Sequence, residues 1–418
     1  MKFGIFIEQN LPRPWTADDE YRLLKESLEQ VELADRLGID TAWVVEHHFL
    51  EEYSHSAAPD VFLAAASQRT KRIRLGHGIV QLPPQINHPF RTAERIATLD
   101  LLSDGRVEFG TGESTSDVEL EGFGVDRTQK REQWAEAIDA IVRMFVEEPF
   151  AGYQGRFVDL PPRNVIPKPR QRPHPPLWVA CTREETIQLA ASLGIGVLSF
   201  NFVSPDEAKR WVDDYYATLC SDACVPVGFA INPNFAVVAP FLCHEDEATA
   251  IDLGLEGFDF FRFSGLHYFA AGEHRPGATD LWRAFKAEHT KPAADRSLFL
   301  STGPLVGDEM KRAGIESHRG AVGTPEQIRT LMRAYSDAGV DQVMFLIQGG
   351  RLDHREICAS LELFAAEVMA EFRDEEPSRQ RSKATRLAPA IEAALARREP
   401  ARDAPDYTIG RIETDAGS

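Results

Sequence analysis

The sequence predicts an α/β protein of the (β/α)8 TIM-barrel class. Short apolar runs rich in β-branched and aromatic residues alternate with stretches of helical periodicity, which is typical of βα units around a parallel sheet. There are eight such runs, and eight is the number of strands that closes this kind of barrel. The predicted strands cover residues 2–8, 41–45, 73–80, 107–112, 177–181, 196–200, 235–239 and 342–347.

Helix signals connect the predicted strands. Between the first two strands, apolar residues recur at helical spacing, and Gly38 follows them as a stop signal. Before the last strand, the run Thr324-Pro325-Glu326-Gln327 combines an N-cap threonine, a first-turn proline and a glutamine at the third helical position. Both helices are therefore expected to deliver the chain to a following strand.

Three regions interrupt the alternation. Residues 149–176 are rich in proline and basic residues, and are predicted to form an excursion over the surface. Residues 263–320 have no steady period and are predicted to be a long insertion before the last βα unit, of the kind that often acts as a lid. Residues 374–418 are charged and poor in apolar residues, which predicts a largely disordered tail with one short helix near 384–398. The barrel domain is thus expected to cover residues 1–373.

Composition restricts the partners and the compartment. With 46 lysines and arginines against 65 aspartates and glutamates, the formal charge of −19 repels nucleic acid and anionic membranes, and we expect neither as a partner. The amino terminus lacks the apolar core of a signal peptide, and no apolar run approaches the roughly 20 residues that cross a bilayer. We therefore expect a cytoplasmic protein. Its five scattered cysteines favour reduced thiols over a disulfide framework.

The most informative motif is Glu46-His47-His48, which directly follows the predicted strand over residues 41–45. Barrel enzymes of this class carry their active-site residues at the carboxyl ends of the strands. Neighbouring side chains of an extended chain point to opposite sides, so we do not expect the two imidazoles to share a ligand, and we expect no metal site. The residues alone leave open a catalytic imidazole or a pair of structural histidines.

A series of motifs extends this picture along the chain. The chain opens with MKFGIF, WVVEHHF ends the second predicted strand, and LGHGIV and NHPFRTAERIATLDLLSDGRVEFGTG follow. Later come GFGVD, LWVACT, GVLSF, VGTPEQ and DAGVDQVMF. In this ordered series the sequence resembles the bacterial luciferase-like flavin-dependent monooxygenases, from Met1 to about Phe372. The resemblance implies a luciferase-like TIM barrel.

The resemblance also implies a reaction. Reduced FMN, supplied by a separate flavin reductase, would react with O2 to a C4a-hydroperoxyflavin at the carboxyl ends of the strands. That species would oxygenate an apolar organic substrate by aldehyde oxidation, Baeyer–Villiger insertion or hydroxylation, and the sequence does not choose among the three. His47 falls at the family's catalytic histidine, where an imidazole can transfer a proton at neutral pH. Dimers are usual among such proteins, so we expect a homodimer that contacts the reductase transiently.

By the same resemblance, a set of strand-end residues would bind the cofactor. Gly78-Ile79 takes the position of a non-proline cis peptide beneath the flavin ring. Many relatives carry an arginine for the FMN phosphate where this chain has Glu113, and Arg183 is one expected replacement. The predicted cofactor-binding residues are Gly78, Ile79, Gly112, Glu113, Ser114, Cys181, Thr182 and Arg183.

Other residues at or near the matching strand ends are predicted to wall the substrate pocket. These are Phe6, Trp43, Ser199, Phe200 and Gln348.

Two alternatives to the monooxygenase stay open. Deazaflavin-dependent oxidoreductases, which transfer hydride, resemble the chain over the same strands. A non-catalytic flavin-binding homologue would keep the barrel without the activity. The retained His47 argues against the second alternative, and Glu113 argues for it.

Overall fold

A computed structural model describes residues 1–200, 202–289 and 320–410. Its centre is a closed ring of eight parallel strands, which confirms the predicted barrel. The first strand lies between the second and the last, so that Phe6 pairs with Trp43 on one side and with Leu346 on the other. The ring consists of β1 (Lys2–Ile7), β2 (Thr41–Val44), β3 (Arg74–His77), β5 (Val107–Gly112), β8 (Leu177–Cys181), β9 (Gly196–Ser199), β10 (Phe235–Cys243) and β12 (Gln342–Leu346).

Helices surround this ring, and short strands lie at its edges. The short strands of the described residues are β4 (Val80–Gln81), β6 (Tyr153–Gln154), β7 (Asp159–Leu160) and β11 (Ala321–Gly323). The helices are α1 (Asp19–Leu37), α2 (Pro59–Arg69), α3 (Pro89–Leu102), α4 (Asp117–Gly122), α5 (Lys130–Val146), α6 (Glu184–Ser192), α7 (Pro205–Leu219), α8 (Glu247–Leu266), a π-helix (His267–Ala271), α9 (Leu281–His289), α10 (Pro325–Asp337), α11 (His354–Glu367) and α12 (Met369–Ala396). Within the described ranges, no helix has both the length and the apolar character that a membrane crossing needs.

The predicted helix end at Gly38 and the predicted helix start at Thr324 are both present in the structure. Gly38 ends α1 in the left-handed conformation, with a φ of 82° that an L side chain rarely adopts. Thr324 and Gln327 form a reciprocal capping box at the start of α10. Both predictions are confirmed.

The barrel interior is filled by large rings, and a glycine makes room for one of them. The Trp43 and Trp178 rings meet edge to face with centroids 5.3 Å apart, and neither side chain reaches solvent appreciably. The Trp43 ring occupies the space beside Gly76, where a Cβ atom would overlap it.

Replacing Gly76 by alanine is therefore expected to destabilise the protein by about 1–3 kcal/mol, because the added methyl group overpacks a rigid interior. Thermal or urea unfolding measures this loss. Gly410 is the matched control, since nothing lies within 4 Å of a Cβ atom built there. Equal stability of the two alanine variants would contradict this account of the interior.

The predicted strand over residues 73–80 is interrupted. Gly76 pairs with Glu108, and Val80 pairs with Thr111. The chain therefore advances four residues between these two pairs, whereas the neighbouring strand advances three. The extra residue makes a bulge, a feature that often lies next to an active site because it redirects the chain. The implied cis peptide at Gly78-Ile79 is absent, since the cis peptide bonds of the described residues all precede proline.

The segment 149–176 is more firmly attached than a surface excursion. It contains the antiparallel hairpin of β6 and β7, and Phe150 is completely buried. The Glu136 carboxylate of α5 accepts hydrogen bonds from the backbone N–H groups of Phe157 and Val158, at 2.8 and 2.9 Å. The segment therefore packs as part of the barrel wall.

The predicted insertion over 263–320 begins with regular structure. The helix α8 runs directly into the π-helix, and α9 follows after a short loop. The Glu52 carboxylate, from the loop after β2, accepts hydrogen bonds from the first two backbone N–H groups of α9, at 2.5 and 3.0 Å. The rest of the predicted insertion, residues 290–319, lies outside the described residues.

The largest difference from the predictions is at the carboxyl terminus. Residues 374–396, predicted as part of a largely disordered tail, belong to α12, which packs on the barrel with Leu387 and Ala394 buried. Beyond the helix, the Arg402 guanidinium reaches Glu147 of the barrel wall, with 2.9 Å between Nε and Oε1.

The inward face of α12 explains why its sequence pattern is misleading. Phe372 and Leu387 supply apolar contacts, but the turns between them present charged side chains. One of these is Lys383, whose ammonium donates to the Asp341 carboxylate at 2.7 Å and to the Asn234 side chain at 2.6 Å. A helix face held by specific polar partners has no continuous apolar stripe, so periodicity does not reveal it.

Candidate active site

His47 and His48 leave the end of β2 in different directions. The His47 ring lies between Glu119, with 3.1 Å from Nδ1 to Oε1, and Glu8, with 3.3 Å from Nε2 to Oε1. The His48 ring instead faces Glu46, with 3.2 Å from Nε2 to Oε1. As the alternation at a strand end predicts, the two imidazoles do not share a partner.

Glu119 is the centre of the hydrogen bonds around His47. Its side chain, carried by the short helix α4, is 0% exposed. Besides the His47 ring, its carboxylate accepts hydrogen bonds from the His48 backbone N–H at 2.9 Å, from the Gln81 amide at 2.8 Å and from the Ser114 hydroxyl at 2.7 Å. Burial would raise the pKa of Glu119, but the charged His47 ring and these donors hold it below its usual value.

Glu8 directly follows β1 and closes the other side of the His47 ring. Its side chain is 2% exposed. Tyr53 packs edge to face on the His47 ring with centroids 5.3 Å apart. Phe269 of the π-helix lies 6.1 Å from the same ring. His47, 19% exposed, is therefore enclosed by carboxylates and aromatic rings.

The two carboxylates determine the charge of His47. Burial by itself lowers the pKa of an imidazole, but Glu119 and Glu8 outweigh it and raise the pKa of His47 from 6.5 to about 10. The two carboxylates therefore favour the protonated form of the ring.

Neither carboxylate is among the residues predicted from the sequence. Glu8 follows β1 in the same way as the histidine pair follows β2, so the strand-end rule could have found it. Glu119 carries no comparable signal, because Asp117 and Glu121 stand beside it and only the fold buries one of the three.

The residues predicted around the phosphate come together with cations that sequence analysis also missed. At the end of β5, Glu113 pairs with Arg131 of α5, with 3.0 Å from Oε1 to the guanidinium. The Lys130 ammonium donates to the backbone carbonyl of Ser114. Glu113 is thus one member of an ion pair and not an isolated negative charge.

Lys130 is the centre of this group of cations, which we call the cation cluster: Arg127, Lys130, Arg131 and Arg183. Burial lowers the pKa of Lys130. The Glu113 carboxylate opposes this effect, and the charges of the three guanidinium groups add to it. Arg183 is exposed just before α6 and has no ion pair within the described residues. The cluster therefore joins the ends of β5 and β8 with an excess of positive charge.

Some predicted residues meet near the carboxyl end of the barrel. The Phe6 and Phe200 rings lie 5.1 Å apart, and a Cβ atom at Gly78 would come within 2.9 Å of Phe6. The Ile79 side chain packs over Gly112, only 2.6 Å from where a Cβ atom would stand. The exposed Thr182 lies beside Arg183 at the start of α6.

The structure places other predicted residues elsewhere. Trp43 belongs to the barrel interior, where its indole N–H donates to the Thr41 hydroxyl at 3.0 Å. Cys181 and Ser199 are neighbours on β8 and β9, and both side chains are fully buried, with Cys181 in the core between strands and helices. Burial raises the pKa of the Cys181 thiol far above its usual value, so it stays protonated.

Gln348 also differs from its predicted place in the pocket wall. Its amide donates to Ser27 and Gln30 of α1, at 2.8 and 2.9 Å, and its carbonyl accepts from the Gln9 backbone at 2.8 Å. These bonds fix the loop after β12 to α1. Gln348 is therefore a structural residue. The sequence does not predict this role, because it depends on which loops are adjacent in the fold.

Known proteins share this architecture. The model of the luciferase-like monooxygenase family matches residues 1–342. The uncharacterized protein y4wF of Sinorhizobium fredii is 34% identical over 205 residues, 48% of this chain and only 58% of that protein. The oxygenase component of the flavin-dependent trigonelline monooxygenase of Acinetobacter baylyi is 25% identical over 384 residues, 91% of this chain and 98% of that protein. The crystal structure of the monooxygenase RslO1 from Streptomyces bottropensis has a TM-score of 0.66 at 26% identity, covering 89% of this chain and 100% of RslO1.

Proposed function

This chain belongs to the luciferase-like monooxygenase family, and we propose that it is the oxygenase component of a two-component flavin-dependent monooxygenase. In the proposed reaction, one atom of O2 enters an apolar organic substrate and the other leaves as water. The observation that carries the proposal is His47, held between Glu8 and Glu119 at the carboxyl end of the strands, beside aromatic rings.

Reduced FMN, when bound, supplies the electrons that activate O2, chemistry that no side chain of this chain offers. The chain's own residues then position and protect the reaction. His47 would hold a proton at a ring nitrogen, with the Tyr53 and Phe269 rings against the imidazole. Tyr53, stacked on Phe261 with centroids 4.9 Å apart, and Phe269 pack around the ring and would limit the access of bulk water to the reaction.

The cation cluster fits the phosphate of FMN. Its excess positive charge lies at the ends of β5 and β8, and the backbone N–H groups at the start of α6 are close to Arg183. We assign the phosphate to Lys130, Arg131 and Arg183. In this assignment, Glu113 is neutralised by Arg131 when the site is empty and competes with the phosphate for that guanidinium.

The proposal includes a partner. The trigonelline relative is named an oxygenase component, and a separate flavin reductase would supply reduced FMN to this chain in the same way, by transient contact. A homodimer is proposed as the working assembly.

Mixing the protein with chemically reduced FMN and oxygen-18 gas tests the reaction directly. With a panel of aldehydes, ketones and terpenes, we expect one oxygen-18 atom in the product of at least one substrate. Substrate reduction by a reduced deazaflavin, independent of O2, would instead support the hydride-transfer alternative. Peroxide release with no substrate consumed across the panel would support a non-catalytic flavin-binding protein.

Replacing Glu113 by glutamine is expected to tighten FMN binding, because it frees the Arg131 guanidinium for the phosphate. A charge-assisted hydrogen bond contributes about 1.5–3 kcal/mol, so a gain of about 1 kcal/mol, roughly fivefold in Kd, is expected after solvent screening. Calorimetric titration with FMN measures it.

Arg131→Gln is expected to weaken binding, and Glu121→Gln, a change at an exposed acid of α4, serves as the control that leaves the Kd unaltered. If neither Glu113→Gln nor Arg131→Gln changes the Kd, the phosphate lies elsewhere.

A further inference from the structure

The two carboxylates around His47 bear on the protonation of both nitrogens of its ring. A neutral imidazole has one N–H group and one nitrogen lone pair, whereas an imidazolium ion donates at both nitrogens. Here both ring nitrogens face carboxylate oxygens, at 3.1 Å for Glu119 and 3.3 Å for Glu8. A lone pair directed at a carboxylate would be repelled, so this geometry favours a proton on each nitrogen.

We infer that Glu119 is a positioning residue that holds the Nδ1–H group of His47 and, with Glu8, keeps the ring doubly protonated, so that His47 gives up a proton through Nε2. This inference rests on the proposed function for its role in the reaction, but its structural content does not depend on a flavin.

The hydrogen bonds divide the roles of the two carboxylates. Glu119 receives donors from His48, Gln81 and Ser114 in addition to His47, so it is fixed as an ionised acceptor. Its side chain is 0% exposed and does not reach solvent. Its effect on the reaction must therefore pass through the Nδ1 side of the ring, whose orientation and charge it determines.

Glu8 has a different set of contacts. Within the described residues, its Oε1 faces Nε2 of His47 at 3.3 Å and accepts no hydrogen bond from any other group. Nε2 is thus the ring nitrogen with the less strongly held proton. When Nε2 releases its proton to the reacting oxygen, the ring becomes neutral, Nδ1 keeps its hydrogen bond to Glu119, and a proton from solvent restores the ion.

Among the residues that the structure describes, the groups that face His47 come from four places in the fold, and their charges agree with this assignment. Glu8 follows β1, Glu119 lies in α4, Tyr53 lies in the loop after β2, and Phe269 lies in the π-helix. Only the two carboxylates are charged at neutral pH, since burial keeps the Tyr53 hydroxyl protonated by raising its pKa. Their effect exceeds that of burial and raises the pKa of His47 to about 10.

Nuclear magnetic resonance of nitrogen-15-labelled histidine in the full chain without flavin provides the test. Of the 12 histidines, the one whose signal disappears in His47→Gln is expected to stay doubly protonated well above the usual midpoint near pH 6.5. In Glu119→Gln, and separately in Glu8→Gln, its midpoint should fall by about 1–3 pH units. A singly protonated His47 at neutral pH in the unaltered chain would overturn the inference.

Asp60→Asn is the matched control. Asp60 pairs with the buried His77 ring at 3.1 Å on the outer side of the barrel, so its loss changes a carboxylate–imidazole pair without touching His47. The His47 midpoint should be unaltered. A fall equal to that in Glu119→Gln would mean a general loss of structure and would also overturn the inference.

The pH profile of substrate conversion distinguishes a positioning role of Glu119 from a contribution to protein stability alone. Because the donor must be protonated, activity is lost as pH rises through the pKa of His47, which in Glu119→Gln should occur about 1–3 units lower than in the unaltered chain. An unshifted profile in a folded Glu119→Gln protein would contradict the positioning role. If the resonance results hold but no substrate is oxygenated, the proposed function fails and the doubly protonated ring stands.

Discussion

Replacing His47 by glutamine is expected to lower substrate oxygenation by about 10²- to 10⁴-fold, the usual contribution of a positioned proton-transfer group. Glutamine is the informative replacement because its amide can still donate to Glu119, whereas alanine would leave no donor between Glu8 and Glu119. The ratio of peroxide released to substrate oxygenated should rise, since O2 is still reduced but no longer used productively.

The measurement is product formed per reduced FMN consumed, taken well below the melting temperature of the variant. His48→Gln is the matched control, because its ring pairs with Glu46 and faces away from His47, and its loss of activity should be smaller. Full activity in a folded His47→Gln protein would remove this residue from the mechanism and leave the site without its proton donor.

Ending the chain at Arg373 is expected to lower the free energy of unfolding by at least about 3 kcal/mol. Burial of Leu387 contributes about 1.5–3 kcal/mol, and the charged hydrogen bonds of Lys383 contribute about 1.5–3 kcal/mol. Truncation also exposes Asp341, a carboxylate that is 2% exposed in the intact chain and that Lys383 neutralises. Calorimetric melting at a fixed scan rate measures the loss.

Two further variants separate the helix from the segment that follows it. Leu387→Ala should reproduce about 2–5 kcal/mol of the loss, because a buried leucine leaves a cavity. A chain that ends at Asp403 keeps α12 and the ion pair of Arg402 with Glu147, so its melting temperature should equal that of the full chain. Equal melting of the Arg373 truncation and the full chain would mean that α12 packs without stabilising the barrel.

The local sequence pattern was sufficient to predict those structural features that depend on a single physical cause. The eight strands were predictable because a parallel barrel buries both faces of each strand, which leaves continuous apolar runs such as residues 235–239. Gly38 and Thr324 were predictable because a left-handed helix end and a capping box depend on neighbouring residues only.

The sequence pattern was misleading where the structure of a segment depends on residues that are distant in the sequence. The helix α12 has a charged inward face because Asp341 and the Val340 carbonyl, both in or near β12, supply its partners. No window of residues 374–396 contains that information. The same holds for Trp43 and Gln348, whose strand-end positions suggested a pocket wall until their neighbours were known.

The sequence by itself determined the barrel, its caps and the position of His47 at a strand end, because each follows from local periodicity or from the direction of a strand. Only the tertiary structure decided the chemistry of that residue. Glu8 and Glu119 are separated by more than a hundred residues in sequence and meet on opposite sides of one imidazole ring. The pKa of His47 depends on that meeting, since charge and burial act through space and not along the chain.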